Sequence, residues 1–291
     1  MNRPMPLNSD EPFVPKVSVC IPTFNGAMTI CESVESVLSQ TFTDFELIIS
    51  DDGSSDETLD LVSRISDPRI KILRGPASGS AEENWNHLVS AARGRYVKLM
   101  GQDDVLYPNM LETEMSMFAQ YVNTHAVVTF SKRDLISASG RRLPRVFSYG
   151  KKFQSVSDLN ELLPRVVRSG RNLLGEPVCA TIKREVLENV GGFAGSYLID
   201  IATWIRLLEQ GPGIFIDTPQ CGFRISRTAW SYRLRQSQAR QTQDFNRAIR
   251  MRFPELVSEL DVMVGSVNAR FAQIARGIVI RLLSSEPKVH N

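Results

Sequence analysis

The sequence predicts an α/β protein with a mostly parallel central sheet flanked by helices, and two observations predict it. Short continuous apolar runs alternate with amphipathic stretches four times between residues 16 and 100, the pattern of strands buried on both faces and joined by crossover helices. Three of those runs stop abruptly at polar clusters, "PTFN", "DDGS" and "GQDD". In parallel sheets ligands sit beyond the carboxyl ends of the strands, so these clusters should meet in one crevice.

The elements follow in order. "KVSVCIP" reads as the first strand, and "GAMTICESVESVLSQ" as a helix with Ile30, Val34, Val37 and Leu38 on one face. "DFELIIS" is the second strand, and "DDGSSDET" both stops it and starts the next helix. "RIKILRG" is the third strand, "AEENWNHLVSAARG" a helix closed by Gly94, and "YVKLM" the fourth strand. After a further helix, "HAVVTFSKRDLIS" is strand-like, "SVSDLNELLPRVVRSG" a helix interrupted by Pro164, and "PVCATIKREVLENVGGF" a strand and short helix. "DIATWIRLLEQG" is another helix, "GIFIDTPQCGFRIS" returns to strand, and from Thr228 onward the chain reads as helical.

With 291 residues, 23% charged and a formal net charge of +2, the composition is that of an ordinary globular protein. Nothing in that balance calls for nucleic acid as a partner. Four cysteines lack any CxxC or metal-like spacing and read as reduced thiols. The polar, proline-rich start and the lack of a long apolar run predict a cytoplasmic protein, held at most peripherally at the inner face of a membrane.

The chemistry concentrates on two acidic pairs. Asp103 and Asp104 adjoin each other where the fourth strand stops. Aspartate is common in turns, but two neighbouring carboxylates repel, and a hard divalent cation such as Mn²⁺ or Mg²⁺ offsets that repulsion. With only two protein carboxylates, the other ligands of such a metal are substrate phosphates and water. Asp51 and Asp52 lie too far back to share it easily, and an aspartate there can accept a ring N–H from a base. The pairs would bracket a ligand with a base at one end and a pyrophosphate at the other.

"VSVCIPTFNGAMTICESVESVLSQTFTDFELIISDDGSSDET", "RGRYVKLMGQDDVLYP" and "VGGF" together resemble family 2 glycosyltransferases, which have the GT-A fold, over roughly residues 16–231. The resemblance implies a metal-dependent, inverting enzyme using a nucleotide-sugar donor and a saccharide or lipid-linked acceptor, in surface polysaccharide or glycolipid synthesis. It implies that Pro22, Thr23 and Phe24 wall the nucleoside, that Asp52 contacts the base and that Asn86 stands on the donor side. Asp103 takes the metal role of the family's Asp-any-Asp motif, with Asp104 beside it. Gly101 stands at that motif's first acidic position, and Gln102 can meet a ribose or sugar hydroxyl. Asp200, ahead of Trp204 on its helix, takes the place of the catalytic base, although an aspartate there can equally cap the helix. Arg224 matches an arginine near the diphosphate, with Ser226 where a histidine is usual, and Glu176 lies on the acceptor side. Asp52 favours a UDP- or dTDP-sugar.

The organisation expected is a tail over 1–15, a donor half over 16–135, an acceptor half over 136–231 and a helical extension over 232–291. Residues 141–171 are strongly basic: Arg141, Arg142, Arg145, Lys151, Lys152, Arg165, Arg168 and Arg171 face only Asp158 and Glu161. They suit an anionic acceptor or an anionic bilayer. In the tail, Val267, Phe271, Ile274, Ile278 and Leu282 recur at helical spacing with Arg270, Arg276 and Arg281 between them. That helix can lie on a membrane, but packing on the body of the protein or on another subunit is the expected outcome. A dinucleotide-binding dehydrogenase is disfavoured, since no GxGxxG follows the first strand. A sugar nucleotidyltransferase is disfavoured because "PTFNGAMT" has one glycine and no basic residue to grip a triphosphate. A degenerate module that binds nucleotide or partner without turnover is the non-enzymatic rival.

Overall fold

The computed structural model describes residues 14–144, 153–195, 198–225 and 238–283. Its first half is β1 (Val17–Thr23), α1 (Ile30–Leu38), β2 (Phe45–Asp51), α2 (Thr58–Ser63), β3 (Ile70–Arg74), α3 (Ala81–Ala91) and β4 (Tyr96–Leu99). β2 is buried throughout and β1 nearly so, hence runs that are continuous rather than alternating. β1 lies parallel to both β2 and β4, and β2 parallel to β3. Thr23 pairs in register with Asp51, so the polar strand ends line one edge. Gly94 does not close α3, because Ala92 is already extended. A Cβ on Gly94 would lie 2.5 Å from the backbone nitrogen of Ser18, so glycine is there to let the chain pass β1.

The second half comprises β5 (Val105–Leu106), α4 (Met110–Gln120), β6 (Val128–Ile136), β7 (Val156–Ser157), α5 (Leu159–Ser169), β8 (Ala180–Lys183), α6 (Arg184–Asn189), α7 (Ile199–Leu208) and β9 (Gly213–Arg224). The described strands run β3-β2-β1-β4-β8-β6-β9-β5, with β7 on β9. β8 is antiparallel to both neighbours, while β6 and β9 are parallel. One face of the sheet packs against α3, α5, α6 and α7, the other against α1, α2 and α4. β4 is fastened to β8 by a fully buried pair: Lys98 Nζ lies 3.0 Å from Glu114 and also donates to the carbonyls of Val178 and Ala180. Thr181 donates to the other oxygen of Glu114. A buried ion pair is tolerable when its members are partnered in this way.

α5 runs unbroken through Pro164. The lost N–H costs one helical bond, and burial of Leu162, Leu163, Val166 and Val167 outweighs it. Beyond β9 come α8 (Gln238–Arg252) and α9 (Glu259–Leu283). α8 shares the main core through Ile249, the connection after it through Val257, and Val262 of α9 packs against it. Asn246 and Asn268 donate to the carbonyls of Val167 (3.1 Å) and Arg168 (2.8 Å), adding to the one bond that the Gly170 N–H gives Val167 at the end of α5.

Two expectations about surfaces change. Val267, Phe271 and Ile274 do not pack on the body; they are exposed, and α9 uses its Gly265–Ala269 face instead. The side chains of Ile278 and Leu282 lie outside the described residues, as do Arg145, Lys151 and Lys152. Several arginines of the basic segment are engaged within the chain: Arg165 with Glu161 and the ring of Phe153, Arg168 with Asp261, and Arg142 with Asp134 and the ring of Tyr107. Among the described residues no helix is long and apolar enough to cross a membrane.

Candidate functional site

The donor end is built where β1 and β2 stop together. The N–H of Asp52 donates to the carbonyl of Thr23 at 2.9 Å, which sets Asp52 beside the end of β1. Its Oδ2 accepts from the N–H of Gly79 at 3.0 Å, while Oδ1 is buried with no hydrogen-bond partner. A buried acceptor left open is costly unless a ligand fills it, and a ring N–H is a suitable filler. Phe24 is nearly half exposed at the same edge and Pro22 is partly exposed, so both can face a base. Asp51 is occupied locally, accepting from the N–H groups of Gly53 and Ser54 and from the Ser54 hydroxyl.

Asp103 and Asp104 lie on the turn after β4. A Cβ on Gly101 would lie 2.9 Å from Asp103 Oδ1 and 3.0 Å from Asp104 Oδ2. The two carboxylates therefore converge over the face where residue 101 carries no side chain. Burial raises the pKa of both, and Asp103 adds to the rise at Asp104, which moves well above the usual carboxylate range. A buried, mutually repelling pair of acid oxygens fits a divalent cation. Among the described residues no cluster of three or more acids, histidines or cysteines stands ready to cage a metal, so two carboxylates are what the chain offers there.

Asp200 sits in the first turn of α7, partly buried. Its Oδ1 accepts from the N–H of Ile201 at 2.8 Å and its Oδ2 from Asn172 Nδ2 at 2.6 Å. Burial pushes its pKa up to about 6 against those two hydrogen bonds, and the charge of Glu176 adds to the rise. Leu198 precedes it in the left-handed region, φ 54, a conformation that costs a non-glycine residue about 1 kcal/mol and turns the chain sharply into the helix. Glu176, by its charge, raises the pKa of both Asp104 and Asp200. It forms an ion pair with Arg133 at 2.5 Å.

The family model described as "Glycosyl transferase family 2" matches residues 18–191. The chain belongs to this family. Among relatives of this family 2 glycosyltransferase, an uncharacterized Mycobacterium tuberculosis protein is 27% identical over 215 residues, 72% of this chain and 66% of the relative. The chain thus spans about two thirds of that relative's length. An Escherichia coli UDP-Glc:α-D-GlcNAc-diphosphoundecaprenol β-1,3-glucosyltransferase is 27% identical over 260 residues, 89% of each chain. The fold also matches a Pyrobaculum calidifontis mannosyltransferase, solved with GDP-Man and Mn²⁺, at a TM-score of 0.60 and 18% identity, covering 94% of this chain and 76% of that one. That likeness places the glycosyltransferase's sheet and helices in the GT-A architecture.

Three residues expected at the donor have their polar atoms engaged inside the glycosyltransferase. Asn86 donates to the carbonyl of Phe193 at 2.7 Å and accepts its N–H at 2.8 Å, pinning the "GGF" turn to α3. Gln102 holds the N–H and carbonyl of Phe24 (2.9 and 3.1 Å) and pairs with Thr23 Oγ1 at 2.5 Å. Arg224 is buried, donating to the carbonyls of Asp103, Ser137 and Ala138 and to Glu32 at 2.5 Å; its own N–H reaches Asp104 Oδ1 at 3.1 Å. Ser226 lies outside the described residues. The sequence reading missed Asn172, Arg133 and Glu32. Only the "GRNLLG" turn hinted at Asn172, whose Oδ1 accepts from the N–H groups of Leu174 and Gly175.

Proposed function

We propose that the chain is a metal-dependent, inverting glycosyltransferase. It transfers a sugar from a UDP- or dTDP-sugar to a hydroxyl of a saccharide or lipid-linked acceptor in surface polysaccharide or glycolipid synthesis. The observation that carries the reading is the convergence of the Asp103 and Asp104 oxygens over Gly101, a pair suited to a cation, together with a separate aspartate, Asp200, held by Asn172 and the Ile201 N–H with its pKa raised to about 6. One centre suits a leaving diphosphate, the other an incoming hydroxyl.

The open oxygen of Asp52 receives the N3–H of uracil or thymine, and Phe24 covers the ring. Asp103 and Asp104 would hold Mn²⁺ or Mg²⁺, which would supply positive charge to offset that of the diphosphate. The Asp200 carboxylate takes the proton of the acceptor hydroxyl as that oxygen bonds to the anomeric carbon, and the carbon–oxygen bond to the diphosphate breaks with its electron pair leaving on phosphate oxygen. Displacement from the opposite face inverts the centre. A raised pKa makes Asp200 a stronger base while leaving it mostly ionised at neutral pH. In this reading Asn86, Gln102 and Arg224 hold the walls of the site, and Glu176 lines its acceptor side. The E. coli relative's UDP-sugar donor and lipid-diphosphate acceptor support the assignment.

Incubating the protein with UDP-sugars and Mn²⁺ should release UDP slowly, and faster with a matching acceptor. Asp200→Asn should keep nucleotide binding by calorimetry and lose transfer by ~10²–10⁴-fold. Normal transfer by that variant would remove Asp200 as the base; no nucleotide binding by the native protein would favour a non-catalytic module.

A further inference from the structure

Helix α9 has two unlike faces. Asp261, Gly265 and Ala269 are buried against α5 and the core. On the other side Leu260, Met263, Val267, Phe271 and Ile274 are each at least half exposed (53, 60, 50, 67 and 62%), and Met251 of α8 joins them at 77%. The steps of three and four residues keep the five in line, and the helical rise from Leu260 to Ile274 extends them over ~21 Å. Large apolar side chains so closely grouped mark a surface that meets something.

The charges identify the partner. A groove of about 610 Å³ between α8 and α9 is lined by Arg247, Arg250, Arg270 and Glu259 alongside Met251, Met263 and Val267; Arg250 pairs with Glu259 and Arg247 with Asp244, which leaves the balance of charge positive. From Val262 to Leu283 the sequence carries Arg270, Arg276 and Arg281 and no acid. Glu259 apart, a second copy set against the acid-free stretch from Val262 onward would bring arginines and no counter-charge, whereas an anionic lipid surface offers both an apolar layer and negative headgroups. We infer that the outer face of α9, with the rim of α8, lies in the plane of an anionic phospholipid bilayer. The opposite face of α9 touches Val167 and Gly170, two residues short of Asn172, so the bilayer would adjoin the Asp200 side of the site. The inference concerns binding alone and stands whether or not Asp200 is a base.

Sedimentation of the full chain with vesicles tests it. Phosphatidylglycerol-containing vesicles should carry the protein down at least ~10-fold more strongly than phosphatidylcholine alone, and salt should weaken the difference. Val267→Ser with Phe271→Ser should lose that partitioning ~10-fold or more at an unchanged melting temperature, and Arg270→Glu should lower it less. These positions are exposed, so folding is spared. Equal partitioning on the two lipids, or partitioning unaffected by the double substitution, would overturn the inference. So would a dimer in solution that the double substitution dissolves while vesicles carry nothing down.

Discussion

At the end of β2, Asp51 folds back onto the N–H groups of its own turn, and Asp52 is held on one oxygen by Gly79 and left open on the other. At the end of β4, Asp103 and Asp104 turn their oxygens toward the same face of Gly101, and burial raises the pKa of both. The letters are the same in both places. What differs is where the oxygens point: those of Asp51 are taken up by its own turn, whereas acid oxygens of Asp103 and Asp104 converge on one face, with the Arg224 N–H on Asp104 Oδ1 beside them, a geometry that suits a cation. Adjacent aspartates are thus read by the donors around them, not by their spacing.

Substitutions can break or sharpen that contrast. The largest effect is expected at the second pair. Asp103→Asn should remove the Mn²⁺-dependent part of any nucleotide-induced thermal shift and lower transfer by ~10²–10³-fold, the range for losing one preorganised charge in a transition state. At the first pair, Asp51→Ala should cost about 1–3 kcal/mol of stability through its stranded turn donors, read by denaturant titration, while metal binding is unchanged. Asp52→Asn should leave stability nearly intact and weaken uridine nucleotide binding about 10-fold by calorimetry, the cost of about one hydrogen bond. Equal metal responses from the two pairs would erase the distinction.

The smallest effect concerns pH. Asp200 holds its proton up to about pH 6, above its unfolded value of ~3.9. The base form is therefore lost as pH falls through about 6, and kcat/KM should fall with it. The linked stability has the opposite sign: the folded state gains as Asp200 takes up its proton below that pH. Asn172→Ala removes a bond to the carboxylate and should move the acid limb upward by roughly one unit or less. Glu176→Gln should move it downward. A purely structural Asn172 would change stability and leave the limb in place.

Much of the architecture was legible because buried parallel strands write themselves as unbroken apolar runs, as "FELIISD" does. The convergence of strand ends followed from topology, and the resemblance placed Asp52, Asp103 and Asp200. What stayed hidden depends on geometry that sequence spacing does not encode. Val105–Leu106 and Val156–Ser157 are two-residue strands, too short for any periodicity. Asn86 within α3, Gln102 after β4 and Arg224 at the end of β9 carry polar side chains that can serve a ligand or a neighbouring backbone equally well. In the folded chain they bond to Phe193, Phe24 and Ser137, contacts far off in sequence. The outward face of α9 was readable as a pattern, but its direction was not.

Gly170 and Gly265 meet so closely that a methyl group on the first would strike the carbonyl oxygen of the second at 2.2 Å, and one on the second would strike that of Val167 at 2.1 Å. Backbone thus bears on backbone, and the chain leaving that contact reaches Asn172 two residues on. A shortened protein ending near residue 231 would lose that buttress from below the "GRNLLG" turn. On the proposed reading, nucleotide would still find its place at the far edge of the sheet, but Asp200, proposed to face the acceptor, would be left on an unsupported ledge.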